Sequence, residues 1–480
     1  MESETVVLYP FLGRGHLVPM VELAKLIHIS NPSLSVILFI TPAAPCVNTE
    51  NYINTVSVAT PSIKFHRLLP TVPLPPDFSS DFMDLAFGIP ELYNPIVHNT
   101  LVTISKESTI KAVILDFLSN AAFQVAKQLN LPTYYFYTSG ASALCEFLYL
   151  PTIHNTTSGN IKDLNVHFDI PGVPPIHASD MPPVMFDRET DVYKNFIHTA
   201  TNMATSSGLI VNTFAGLEER AVDALRKGKC TTTYGTPTPP LYLIGPLIAT
   251  EDQADPGGEN ECLKWLNTQP CRSVVFLCFG SMGVFKKHQL KEIAIGLMKS
   301  EQRFLWVVRD PLPDDDDDNE NESRGSGGKL DTVLDAILPE GFLARTADKG
   351  LVVKNWAPQP AILGHDSVGG FVTHCGWNST LEAVVAGVPM IAWPLYAEQK
   401  MNRVFLVQEM KVALGVEMSA DGFVTAEAVE EKVRELMWGE EGRVVRDRVL
   451  EMSRRAKDAM EDDGSSRVDF FKLTTSWTGM

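Results

Sequence analysis

Short runs of β-branched and aromatic residues recur along the chain, separated by longer stretches with helically spaced apolar positions. Thr5–Tyr9, Ser35–Ile40, Ala112–Leu115, Thr133–Tyr137 and Leu209–Val211 are apolar runs of strand length, as expected for strands covered on both faces. Leu17–His28 and Asn120–Leu129 carry helical spacing between them. Such alternation predicts right-handed βαβ units and parallel sheets with helices on both faces. The pattern pauses at Tyr242–Pro246 and at Ala249–Asn260, a Gly-, Asp- and Glu-rich linker by composition. It restarts with strands expected at Ser273–Cys278, Phe304–Val308, Leu351–Val353, Gly370–Thr373 and Met390–Trp393, and a helix at Lys287–Ser300. The expected fold class is α/β, with two domains of similar size whose facing edges form a ligand cleft.

Two segments break the alternation. Ile170–Pro183 is proline-rich and is expected to be loop throughout. Pro311–Lys329 contains Asp314 to Asp318 and is expected to be a solvated acidic insertion. It lacks the spaced ligands and fixed turn of a calcium loop.

Composition narrows the function classes. The 480 residues are 45 % hydrophobic and 20 % charged, which excludes wholesale disorder. Forty Lys and Arg stand against 58 Asp and Glu, a net charge of −18, the wrong sign for gripping nucleic acid over a broad surface. The seven cysteines are irregularly spaced, without a C-x-x-C pair, which argues for a reducing compartment rather than a disulfide framework or zinc cluster. An acidic N-terminus and no apolar run of about 18 residues argue against a signal peptide or a spanning helix. A soluble, cytoplasmic protein is expected, and nothing suggests a subunit interface, so a monomer is expected too.

The stretch from Trp356 to Gln399 concentrates the chemistry. Gly370–Thr373 leads through His374-Cys375-Gly376 into a helix opening Trp377-Asn378-Ser379. A strand feeding a helix through a small residue makes an anion pocket from free N–H groups and the positive helix end. His374 can donate to the same anion. Glu382, one turn further on, is placed to accept from ribose hydroxyls. Trp356 and Gln359 offer a ring and an amide to a base. Taken singly, Trp356, Trp377 and Trp393 read as core aromatics, and Asn378 or Ser379 as helix caps. Their clustering with the closing Glu398-Gln399 is harder to explain as scaffold.

This stretch resembles the signature box of the plant family-1 UDP-sugar-dependent glycosyltransferases over its full length, including W-A-P-Q, H-C-G-W-N-S and the closing E-Q. The resemblance implies a GT-B type fold of two facing Rossmann-like domains: an acceptor domain at 1–247, a donor domain at 248–455 and a tail at 456–480 returning to the first. It implies that Trp356 stacks on uracil while Ala357 and Gln359 help hold base and ribose. Glu382 binds ribose. His374, Asn378 and Ser379, with the backbone at Gly376 and Trp377, hold the diphosphate. Trp377, Glu398 and Gln399 contact the sugar, and Ser281 adds a phosphate contact.

In the first domain, His16 follows the first strand beside a helix start, and Asp116 ends another strand. In a parallel sheet both lie on one edge, so Asp116 can reach His16 and fix its tautomer. Taken singly, each reads as packing or capping. The family match implies a catalytic pair, His16 as general base and Asp116 as its orienting partner. The implied reaction moves a hexose from a UDP-sugar to a hydroxyl with inversion. UDP-sugar is a co-substrate, and neither a cofactor nor a metal is expected. Gln399 resembles glucose-using members. Trp377 stands where glucuronate-using members carry Arg, and an indole cannot pair a carboxylate bidentately. UDP-glucose is therefore the expected donor.

A flat phenol of flavonoid or chalcone type is the expected acceptor, in an apolar pocket drawn from Phe11, Phe117, Tyr137, Leu144, Met181, Phe186, Tyr396 and Ala397. A terpenoid acceptor or carbon-linked transfer would use the same base. A nicotinamide oxidoreductase would need G-x-G-x-x-G after a strand, and a serine hydrolase G-x-S-x-G; neither occurs. A non-catalytic nucleotide-sugar sensor would keep the Trp356–Gln399 box without the His16–Asp116 pair.

Overall fold

The computed structural model describes residues 3–478 apart from 12, 43–46, 76–77, 80, 233–234, 236, 250–259 and 313–337. Nearly all of the expected linker and most of the acidic insertion, including Asp314 to Asp318, lie outside the described residues. The chain divides into two compact units, Met1–Ala249 with Arg455–Met480, and Thr250–Arg454.

The first unit contains strands β1 (Glu4–Tyr9), β2 (Leu34–Ile40), β3 (Ile63–Arg67), β4 (Thr109–Asp116), β5 (Thr133–Tyr137), β6 (His167–Phe168), β7 (Ile176–His177), β8 (Gly208–Val211) and β9 (Leu241–Leu243). Seven form one parallel sheet in the order β3-β2-β1-β4-β5-β8-β9. Val6 and Leu8 of central β1 pack with Val36 and Leu38 of β2 and with Ile114 of β4. Helix Arg14–Ser30 adds Leu17, Met20, Val21, Ala24 and Ile27, an apolar stripe at helical spacing. Helix Ser465–Thr478 buries Phe470, Leu473 and Trp477 in the same core. Its Ser476 Oγ lies 3.0 Å from Tyr134 Oη, and its Asp469 pairs with Arg226 at 2.9 Å.

The second unit carries β10 (Val274–Cys278), β11 (Arg303–Val308), β12 (Gly350–Lys354), β13 (Val368–Thr373), β14 (Met390–Ala392) and β15 (Ala413–Gly415). They form a parallel sheet in the order β12-β11-β10-β13-β14-β15. In both sheets the strand order reverses direction at the centre, beside β1 and β4 in the first and beside β10 and β13 in the second. Those are the switch points at which open α/β sheets bind ligands, beyond the carboxyl ends of the strands.

The proline-rich Ile170–Pro183 is not loop throughout. Ile176 and His177, free of proline, pair antiparallel with Phe168 and His167. The helix expected at Asn120–Leu129 runs Ala122–Gln128, after a 3-10 turn at Phe117–Ser119. β3, β9 and β15 were not anticipated, and β9 (Leu241–Leu243), paired with β8, overlaps the segment at which a pause was expected.

Candidate active site

Three adjacent strands of the first sheet deliver the first cluster. β1 ends at Tyr9, and Gly13 opens the helix in which His16 is the third residue; His16 N–H donates to Gly13 O at 2.9 Å. Tyr9 is in register with Leu115 of β4, so Asp116 emerges on the same edge. Asp116 Oδ2 lies 2.8 Å from His16 Nδ1, while its Oδ1 accepts from Leu118 N–H at 2.9 Å. The carboxylate is thus held from two sides and wholly buried, whereas the His16 side chain remains 24 % exposed. Opposite a carboxylate the proton resides on Nδ1, leaving Nε2 as the basic nitrogen. Just past β5, Thr138 Oγ1 lies 3.0 Å from the same Nδ1. Thr138 was not singled out from sequence; its only signal is its place after the third buried strand.

Aromatic rings surround the imidazole. Phe11 meets it edge-on at 5.4 Å, and Phe117 lies tilted against it at 5.7 Å. Phe117 also touches Tyr137 and Phe147, Phe147 touches Phe196, and Phe11 touches Phe82. Phe11, Phe117 and Tyr137 are therefore brought together as expected, while Phe82, Phe147 and Phe196 join them unpredicted. Leu144 and Met181 are fully buried and Phe186 half-buried. Tyr396 and Ala397 belong to the other unit. Tyr9 is no competing proton acceptor: burial pushes its phenol up to about 12, only partly opposed by its hydrogen bond to Thr41.

The second cluster stands at the switch point of the other sheet. Cys278 of β10 is in register with Thr373 of β13, so Gly280-Ser281 and His374 emerge side by side. Gly376 precedes helix Trp377–Ala386 without a side-chain cap, leaving the first N–H groups to other partners. His374 is 7 % exposed, and its buried Nδ1 has no hydrogen-bond partner among the described residues. Burial lowers its pKa to about 4, so the ring is neutral at physiological pH. Two glycines make room for it. A Cβ on Gly376 would stand 2.4 Å from His374 Nε2, and one on Gly280, at φ +77°, would stand 2.6 Å away. Cys375 adopts φ +67°; its N–H donates to Thr373 Oγ1 at 3.2 Å, and its carbonyl accepts from Asn402 Nδ2 at 3.0 Å.

The other box residues form a connected network. Gln359 Nε2 donates to Ser379 Oγ at 2.8 Å and to Glu382 Oε2 at 2.7 Å. Trp356, just past β12, is 49 % exposed, whereas Ala357 and Trp377 are buried. Asn378 has further contacts and is half-buried. Gln399 Oε1 accepts from Leu395 and Tyr396 N–H, both at 2.9 Å, which turns its NH₂ away from them. Glu398 Oε1 lies 3.4 Å from Asn402 Nδ2. Ser281 is exposed, and its carbonyl accepts from Arg309, a cation at the end of β11 that sequence reading missed. Burial pushes the Cys278 thiol to about 11 and the Cys375 thiol well up, so neither is a ready nucleophile. Among the described residues, no three His, Cys, Asp or Glu gather as a metal site.

Known proteins resemble this chain in sequence and fold. The family described as UDP-glucoronosyl and UDP-glucosyl transferase matches residues 233–459. UDP-glycosyltransferase 88B1 of Stevia rebaudiana is 68 % identical over 479 residues, covering 100 % of each chain. An anthocyanidin 5,3-O-glucosyltransferase of a Rosa hybrid cultivar is 48 % identical, with 99 % of each chain covered. The solved structure of Phytolacca americana UGT2, complexed with UDP-2fluoro-glucose and pterostilbene, is 35 % identical, with a TM-score of 0.85 and coverage of 99 % of this chain and 100 % of that one. The chain belongs to the plant family-1 UDP-glycosyltransferases, enzymes of GT-B fold that take a UDP-sugar as donor. No helix among the described residues is long and apolar enough to cross a membrane.

Proposed function

We propose that this enzyme transfers glucose from UDP-glucose to a hydroxyl of a small phenol, such as a flavonoid, giving a β-glucoside. The observation that carries this reading is the His16–Asp116 hydrogen bond at 2.8 Å, set among aromatic rings with the imidazole still exposed. A phenol of pKa near 10 is protonated at neutral pH. Nε2 takes that proton as the oxygen attacks the anomeric carbon, and the C–O bond to UDP breaks on the opposite face, so configuration inverts. Asp116 stabilises the imidazolium that forms. General-base catalysis of this kind supplies about 10²–10⁴ in rate.

On the donor side, Trp356 stacks on the uracil, with Ala357 and Gln359 beside base and ribose, and Glu382 takes the ribose hydroxyls. The start of helix Trp377–Ala386, with His374, Asn378, Ser379 and Ser281, receives the diphosphate as charge builds on it. His374 acts there as a neutral donor, because its burial opposes protonation. Glu398 and Gln399 hold the hexose hydroxyls. Gln399 has its carbonyl tied to two backbone amides, so its NH₂ is the group offered to the sugar. Glucose rather than glucuronate is the donor, since Trp377 offers no cation to a sugar carboxylate. The relatives' names and the bound pterostilbene support a flat aromatic acceptor. We read the enzyme as a cytosolic monomer, on the irregular spacing of its seven cysteines without a C-x-x-C pair and a sequence that suggests no subunit interface.

The test is a panel of flavonols, isoflavones, stilbenes and terpenoid alcohols with UDP-glucose, products read by mass spectrometry and anomeric proton coupling. An O-linked β-glucoside of a phenol is expected. An α-linked product, or turnover confined to terpenoid alcohols, contradicts the reading, and an acid-stable carbon-linked product contradicts oxygen attack.

A further inference from the structure

Helix Ala141–Thr156 begins at Gly140, which supplies no side-chain cap. The cap comes instead from Glu218, 77 residues away in sequence. Glu218 Oε2 accepts from Ala141 N–H at 2.9 Å and from Thr213 Oγ1 at 2.6 Å, and Oε1 accepts from Ser142 N–H at 2.7 Å. The carboxylate is buried at 1 % exposure, and all three contacts donate to it. Burial pushes the carboxyl above its usual range, opposed by these hydrogen bonds, and the positive end of the helix also favours the anion. The other end of the same helix is closed by the opposite charge. Arg188 Nη1 donates to the carbonyls of His154 at 3.0 Å and Thr157 at 2.9 Å. The helix is thus pinned at both ends by remote charges of the sign its dipole selects.

Its position bears directly on His16. The three residues before the helix are Thr138, Ser139 and Gly140, and Thr138 Oγ1 is the group 3.0 Å from His16 Nδ1. Leu144 and Phe147 lie in its first two turns, and Phe147 packs on both Phe117 and Tyr137. Thr213 and Glu218 follow β8, which pairs with β5, with Tyr137 opposite Val211. Four neighbouring strand ends, β1, β4, β5 and β8, are therefore linked: hydrogen bonds join Asp116, His16 and Thr138, and three residues of backbone carry Thr138 to the Ala141 and Ser142 N–H groups that Glu218 accepts from.

We propose that Glu218 is a positioning residue for the general base, setting Thr138 and the aromatic wall against His16 by capping helix Ala141–Thr156. The proposal rests on the reading of His16 as the base. Glu218→Gln keeps the shape, but whichever carboxylate oxygen becomes NH₂ then faces the backbone N–H of Ala141 or Ser142, which cannot accept, so the helix start must shift. A misplacement near 1 Å costs about 10²-fold in turnover, so kcat is expected to fall by about that factor. The Kd for UDP, held by the other unit, is expected to stay unchanged. A second readout needs no turnover: in histidine-labelled protein, the His16 Nδ1–H cross-peak, assigned with His16→Ala, is expected to shift. An unchanged kcat and cross-peak with only a lower melting temperature would reduce Glu218 to a structural cap and overturn the proposal. A shifted cross-peak in a protein whose parent transfers no sugar to any phenol would uphold the positioning while sinking the transferase reading. If Glu218→Gln does not fold, judged by loss of its cooperative urea transition, Thr213→Val decides. It keeps the carboxylate but removes one donor, and a smaller shift in the same cross-peak is expected, whereas no shift overturns the proposal.

Discussion

Gly376 and His374 are packed so closely that one methyl group would collide: a Cβ on Gly376 would lie 2.4 Å from His374 Nε2. Gly376 has φ −67°, so its backbone suits any residue, and contact alone demands glycine there. Gly376→Ala is therefore expected to displace the imidazole from the helix start and weaken UDP binding at least about tenfold, the loss of one good hydrogen bond to a charged group. Calorimetric titration with UDP checks this; an unchanged Kd would show that the ring can move without consequence.

Burial of His374 carries a pH signature. Its folded-state pKa is lowered to about 4, from an ordinary value near 6.5. Above pH 6.5 both folded and unfolded states hold it neutral. Between 6.5 and 4 the unfolded chain takes up a proton that the folded one refuses, so stability falls as the pH drops through that window. The shift corresponds to about 3 kcal/mol by pH 4. His374→Asn is expected to flatten this part of the stability-against-pH curve in denaturant titrations; a slope identical to the parent's would remove His374 as its source.

The closing helix Ser465–Thr478 belongs to the first unit's core. Trp477 is 5 % exposed and packs edge-on against Tyr134 at 6.2 Å. Trp477→Ala is expected to cost about 3–5 kcal/mol, read as an earlier urea midpoint. UDP affinity should persist under native conditions, because the residues proposed to hold UDP lie in Thr250–Arg454. Loss of less than about 1 kcal/mol would mean that the cavity collapses and the helix is only loosely docked.

Much of this was legible in the chain because the central strands are buried on both faces and therefore read as unbroken apolar runs. β3 escaped notice because Ile63–Arg67 alternates in burial with two charged residues among its five. β15 escaped because three residues, Ala413–Gly415, carry no periodicity. His16, Asp116 and the Trp356–Gln359 segment could be placed because each lies at, or a few residues beyond, the carboxyl end of a strand, where chain order alone sets the sheet edge. Thr138 and Glu218 could not. A threonine after a strand is ordinary, and a carboxylate capping a helix 77 residues away leaves no local pattern. Nor could the lowered pKa of His374 be read, since it comes from burial of the ring in the folded unit.

The central claim is that His16, held by Asp116, removes the acceptor's proton. Its most direct measurement is single-turnover transfer from UDP-glucose to a flavonol by His16→Ala and Asp116→Asn, alongside their UDP affinities. The account predicts a fall of about 10²–10⁴ in rate for His16→Ala, a substantial fall for Asp116→Asn, and UDP binding equal to the parent's in both. Transfer by His16→Ala at the parent's rate, with UDP bound as tightly, would contradict it.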